Sequence, residues 1–136
     1  MIFLDFSSLV LMERDNETNF FLKEIGSYKV HEGAAYVTKF FYNGEKVNLV
    51  FDTKRDVEEW EFSAIFDLFN LEAFEDNGFI IEEMVEEYNP TWVLKFDFIE
   101  DHGEMEDKIN EACTIIEEEI DKVFEKIKGK EEEYEE

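Results

Sequence analysis

The sequence predicts an α+β fold, an antiparallel sheet of about six strands in the order ββββ-α-ββ-α, with two helices packed on one face. Three observations carry that expectation. β-type apolar runs crowd the first half of the 136 residues. Two amphipathic helical stretches occupy the second half, and the alternating run Trp92, Leu94, Phe96, Phe98 lies between them and needs a strand to pair with. Residues 1–129 read as one domain and 130–136 as a mobile acidic tail.

Taken in order, residues 9–12 and 20–25 form the first two strands, joined by the polar loop Asp15-Asn16-Glu17-Thr18. Residues 34–42 and 46–52 flank Asn43-Gly44, a pair suited to the positive φ angles of a type I′ hairpin turn. A helix follows with Asp56 as N-cap and Glu59 three residues on, a variant capping box. Val57, Trp60, Ala64, Leu68 and Leu71 make its apolar stripe, widened by Ile65 and Phe69, and Asn77-Gly78 supplies the left-handed stop. Residues 79–88 have apolar spacing that suits a helix, yet they follow a glycine stop and precede the turn Asn89-Pro90-Thr91. A bulged strand forming a hairpin with residues 92–98 is the better reading. The last helix spans 105–127, its apolar residues from Met105 through Ile116 to Ile127 stepping by three and four, and Gly129 closes it.

Composition excludes several classes. A single cysteine, Cys113, rules out an internal disulfide, and its place on the apolar stripe of the last helix reads as a small buried hydrophobe. Two histidines, His31 and His102, leave no zinc-binding spacing. P-loops, nucleophile elbows, dinucleotide fingerprints and calcium loops are missing, so no cofactor is expected. The amino-terminal residues lack a basic region ahead of an apolar run, and no apolar run reaches membrane-spanning length, so a cytoplasmic location is expected. Glu, Lys, Ile, Phe and Asn are used heavily, with only two Arg, the usage of an AT-rich bacterial coding genome.

Charge is the dominant feature. Acidic residues outnumber basic ones 37 to 13, a net charge of −24. Residues 1–56 hold nine acidic and seven basic side chains, whereas residues 57–136 hold 28 and six, so the imbalance belongs almost wholly to the second part. A globule of this length has a radius of gyration of about 14 Å and thus a diameter of roughly 37 Å. Duplex DNA of that length carries about 22 phosphates, close to the protein's own charge. Within the last helix, Glu117, Glu118, Asp121 and Glu125 lie away from Ile116 and Ile120, and like charges so spaced cost a few tenths of a kcal/mol each. The pairs Glu82-Glu83 and Glu86-Glu87 extend the acid into the preceding segment.

These eight carboxylates are the expected protein-binding residues of a non-enzymatic acidic protein that engages a basic protein surface, in the manner of an inhibitor, an immunity protein or a DNA mimic. Direct nucleic-acid and membrane binding are disfavoured because no basic groove is present. Two alternatives stand beside this. In one, the acid serves solubility and the sheet builds a homo-oligomer, with Phe20, Phe21, Phe40 and Phe41 as an exposed patch. In the other, Asp97, Asp101 and His102, flanked by Glu100 and Glu104, hold a divalent cation.

Three segments, Ser7-Ser8-Leu9-Val10-Leu11-Met12-Glu13, Arg55-Asp56-Val57-Glu58-Glu59-Trp60-Glu61 and Glu87-Tyr88-Asn89-Pro90-Thr91-Trp92, resemble a family of small acidic bacterial proteins of unknown function. That resemblance implies no activity, cofactor or site residue.

Overall fold

A computed structural model describes residues 7–134. Its strands are β1 (Ser7–Arg14), β2 (Phe21–Val30), β3 (Val37–Tyr42), β4 (Val47–Asp52), β5 (Ile80–Met84) and β6 (Thr91–Phe96), and its helices are α1 (Glu59–Leu68), α2 (Glu72–Glu75), α3 (His102–Ile127) and α4 (Glu131–Tyr134). A 3-10 turn, Glu32–Tyr36, links β2 to β3. The six strands form one sheet in the order β2-β1-β3-β4-β6-β5.

The sheet is mixed, where a purely antiparallel one was expected, because β1 and β3 run parallel. The reason lies at the edge of β2. Side chains of α3 already occupy outward-facing polar groups in its second half, at Ser27 and Lys29. His102 Nε2–H donates to the Ser27 carbonyl at 2.9 Å, Lys29 N–H donates to Glu106 Oε1 at 2.7 Å, and Asn110 Nδ2–H donates to the Lys29 carbonyl at 2.9 Å. With that edge taken, β3 passes to the far side of β1. A strand that runs antiparallel to β2 and lies beside β1 is parallel to β1. Covering an edge with helix side chains also removes a template for strand addition.

Three local expectations shift. Asn43-Gly44 does close a hairpin, with Tyr42 opposite Val47. Only Gly44 takes positive φ (+93°), however, so the turn is not type I′. Asn43 Oδ1 instead accepts the N–H groups of Glu45 (2.9 Å) and Lys46 (2.8 Å), an Asx arrangement. The cap of α1 is Glu58, with its N–H donating to Glu61 Oε1 at 2.8 Å, rather than Asp56. Lys54 at φ +61° and the Thr53 hydroxyl bonded to the Arg55 carbonyl hold that stretch outside the helix. Residues 79–88 do contain a strand, β5, but its pairing with β6 is regular, from Ile80 opposite Lys95 to Met84 opposite Thr91. The irregularities lie in β1–β2 and β3–β4.

The predicted first helix is broken in two. Phe69 is extended (ψ 134°), ending α1, and α2 follows after a short gap. In one continuous helix Phe69 and Phe74 would point about 140° apart. The break lets both rings enter the same cluster, where Phe69 stacks on Trp92 (4.1 Å between centroids) and Phe74 stacks on Phe51 (5.8 Å). Gly78 then ends α2 in a left-handed turn, with Phe79 N–H donating to the Phe74 carbonyl and Gly78 N–H to the Glu75 carbonyl.

One core joins the helices to a single sheet face. Ala64, Ile65, Phe69 and Phe74, with Met105, Ile109, Ile116 and Ile120 of α3, pack on Val47, Leu49, Phe51, Trp92 and Leu94. Asp101 caps α3, accepting the Glu104 N–H at 2.9 Å. Beyond Gly129, in the region expected to be a mobile tail, α4 turns back and Tyr134 donates its hydroxyl hydrogen to Asp67 Oδ2 at 2.6 Å.

A lone carboxylate interrupts the buried face of α3. Glu119 is 4% exposed, and its Oε1 has no hydrogen-bond partner among the described residues while Oε2 lies 3.3 Å from Lys122 Nζ. Desolvating a charge for one exposed partner is unfavourable. Glu119→Leu, which keeps the volume, is therefore expected to stabilise the fold by about 1–2 kcal/mol. Thermal unfolding checks this, and a lowered midpoint would contradict it.

Candidate functional site

The helices carry the acid. Segments 58–76 and 100–134 hold 21 acidic and five basic residues. Core residues at Ile116, Ile120, Val123 and Ile127 pin α3 to the sheet, which turns the intervening positions outward. Glu118, Asp121 and Glu125 are exposed there, and Glu117 is half-buried beside them. Among the described residues, Glu117, Glu118 and Asp121 have no ion pair, whereas Glu125 pairs with Lys128 at 2.8 Å.

The other four predicted carboxylates lie elsewhere. Ile81 packs against the helix-covered core, so its neighbour Glu82 points to the opposite sheet face, where it pairs with Lys95 at 3.1 Å. Glu83 sits across from Trp92, and Glu86 and Glu87 are exposed in the turn after β5. The strand period of two thus separates Glu82 from the α3 set.

The cation cluster expected at Asp97, Asp101 and His102 is not assembled. Asp97 Oδ1 pairs with Lys46 Nζ at 2.6 Å, Asp101 is the α3 cap, and His102 stacks on Tyr28 (4.8 Å, 15°) while holding the β2 edge. Among the described residues no three His, Cys, Asp or Glu side chains are grouped to bind a metal ion. Asp97 and His102 serve partners distant in the chain, whereas Asp101 serves the helix start three residues away.

A concavity between the helices is one that the sequence does not announce. A cleft of about 680 Å³ runs between α1 and the C-terminal half of α3, with Tyr36, Arg55, Trp60, Glu61, Asp121 and Phe124 among its walls. Arg55 lies over Phe124, its Cζ 3.5 Å from the ring centroid. Burial raises the Tyr36 phenol above its ordinary pKa, and Asp121 and Glu117 push it further, while Arg55 opposes them. The available signal was Arg55 and Trp60 in one acidic stretch, but Trp60 also fits the apolar stripe of α1, where it was placed.

Cys113 is buried, as its place on the stripe predicts. Burial, then Glu117, pushes its thiol up to about 12. An unfolded cysteine titrates near 8.5. Between those values the folded chain keeps a proton that the unfolded chain releases, so this contribution to stability is complete below about pH 8.5 and is lost as pH rises toward 12. Folded protein at pH 9 should therefore react slowly with a thiol-specific disulfide reagent and rapidly once denatured. Equal rates would contradict the burial.

Fold and site together define an α+β protein with a mixed six-stranded sheet and an acidic helical layer. The chain belongs to a family of unknown function, DUF6762, whose profile matches residues 4–135. No curated protein and no solved structure matches it significantly. No helix among the described residues is long and apolar enough to cross a membrane.

Proposed function

We propose that this is a non-enzymatic binding protein whose anionic helical layer docks on a basic surface of another protein. The observation that carries the reading is the set Glu117, Glu118 and Asp121, which have no ion pair among the described residues and lie along one helix within a layer of 21 acidic and five basic residues. Carboxylates kept side by side at a local cost of repulsion gain when a cationic surface meets them. Long-range attraction of this kind speeds encounter and weakens with ionic strength.

Affinity capture from a bacterial lysate at low salt, followed by binding measurements on the recovered protein, tests the reading. The expected partner is basic, and its affinity falls at least tenfold by about 0.5 M salt, where the screening length is a few Å. Recovery of no basic protein, or affinity indifferent to salt, overturns it.

A second reading rests on other residues. Phe20, Phe21 and Leu22 are 73%, 59% and 57% exposed at the end of the sheet, which suits contact with a second copy. Phe40 packs against the core, and the Arg14 guanidinium bridges Phe41 and Phe21, 4.2 Å and 5.0 Å from their ring centroids. A monomeric mass in light scattering at high concentration would dismiss this alternative.

A further inference from the structure

The cleft between α1 and α3 combines three aromatic walls, Tyr36, Trp60 and Phe124, with the carboxylates of Glu61 and Asp121, inside the most acidic layer of the protein. It already accommodates one guanidinium. Arg55 lies over Phe124 at 3.5 Å, and no carboxylate among the described residues is within ion-pair distance of it. The flat group is held by a ring face and the surrounding field rather than by a carboxylate fork.

The loop is built to place that group. Lys54 adopts φ +61°, its N–H donating to Asp52 Oδ1 at 2.8 Å, and the Thr53 hydroxyl donates to the Arg55 carbonyl at 2.9 Å. A left-handed lysine is held at an energetic cost by its surroundings. On the facing wall, Trp60 Nε1–H donates to Glu58 Oε2 at 2.8 Å, which orients the indole.

We infer that the cleft receives an arginine side chain of the basic partner, its guanidinium stacked on the aromatic walls with Asp121 and Glu61 as counter-charges. Arg55 is the chain's own competitor for the Phe124 face. The inference rests on the proposed function and adds the anchor residue. Arginine is specified over lysine because only a planar, weakly hydrated cation stacks on a ring while its edge donates to carboxylates.

Tryptophan fluorescence titration with a short Gly/Arg peptide and its Gly/Lys counterpart tests this at low salt. Trp92 is fully buried, so the responding indole is Trp60, which Trp60→Phe verifies. The arginine peptide is expected to bind about fivefold tighter than the lysine peptide, the scale of a partly desolvated cation–π contact. Asp121→Asn, at an exposed position that leaves the fold intact, should weaken the arginine peptide about five- to tenfold, whereas Glu45→Gln, exposed in the β3–β4 turn and outside both the cleft and the helical layer, should leave the preference for arginine unchanged. Arg55→Ala should tighten binding by freeing the Phe124 face. Equal affinity for both peptides, indifference to Asp121→Asn, or weaker binding in Arg55→Ala overturns the inference. A basic protein still captured by the acidic layer in that case would leave the broader reading standing, so the two failures are distinguishable.

Discussion

Trp92→Ala is expected to remove about 3–5 kcal/mol of stability, the scale of truncating a fully buried indole. Trp92 is 0% exposed at the meeting point of sheet and helices. Its ring lies 4.1 Å from Phe69, 5.3 Å from Phe51 and 5.2 Å from Phe66, so truncation removes a contact from β4 and two from the α1 region at once. The cavity cannot collapse easily because the break after Leu68 exists to bring Phe69 onto this ring. Against a total of roughly 5–15 kcal/mol for a domain, the loss should lower the unfolding midpoint by roughly 10–20 °C. Trp92→Phe provides the contrast. The indole N–H is buried without a partner among the described residues, so phenylalanine deletes an unsatisfied donor along with some volume. Its cost should fall well below that of alanine. A Trp92→Ala protein melting within a few degrees of the parent would show that the aromatic cluster is not the keystone described.

Gly33→Ala is expected to cost about 2–3 kcal/mol, for a reason unrelated to backbone freedom. A Cβ at this position would stand 2.5 Å from the Cys113 carbonyl oxygen and 2.7 Å from His31 Cε1. The backbone atom belongs to α3 and cannot yield alone, so the 3-10 turn must move outward. His31 then loses its bonds. Its Nδ1 accepts the Gly33 N–H at 3.0 Å, which leaves the ring hydrogen on Nε2, directed to the Asn110 carbonyl (3.2 Å) and Thr114 Oγ1 (2.9 Å). The readouts are a lowered midpoint and faster modification of Cys113, which the turn covers. An unchanged midpoint would mean that turn and helix are not in close contact.

The elements that depend on nearest-neighbour patterning were legible in the sequence. The unbroken steps of three and four from Met105 to Ile127 announce α3, and Gly78 and Gly129, at φ +86° and +78°, follow the ends of α2 and α3. What escaped depends on partners distant in the chain. Nothing near Ser27 or Lys29 says that His102, Glu106 and Asn110 will cap that edge, and so nothing local announces the parallel β1–β3 pair. The break in the first helix is likewise decided by Trp92, more than twenty residues downstream. Function was less legible than fold. Asp97, Asp101 and His102 have the residue types of a cation site but are committed to Lys46, the α3 N-terminus and Tyr28. The cleft was hidden because its walls come from the 3-10 turn, the loop before α1, α1 itself and α3, which no linear window spans.

If the position of the acid matters and not only its amount, variants of equal charge behave differently. This is tested by comparing two variants with the same change in net charge. One neutralises the α3 set (Glu117→Gln, Glu118→Gln, Asp121→Asn), and the other neutralises exposed acids among the strands and their loops (Glu17→Gln, Glu24→Gln, Glu45→Gln). Binding of the captured basic partner, measured side by side at fixed ionic strength, should fall at least tenfold for the first variant and no more than about twofold for the second. Equal losses would rule out docking through the α3 face, because the protein would then be acting through its total charge, with no preferred side.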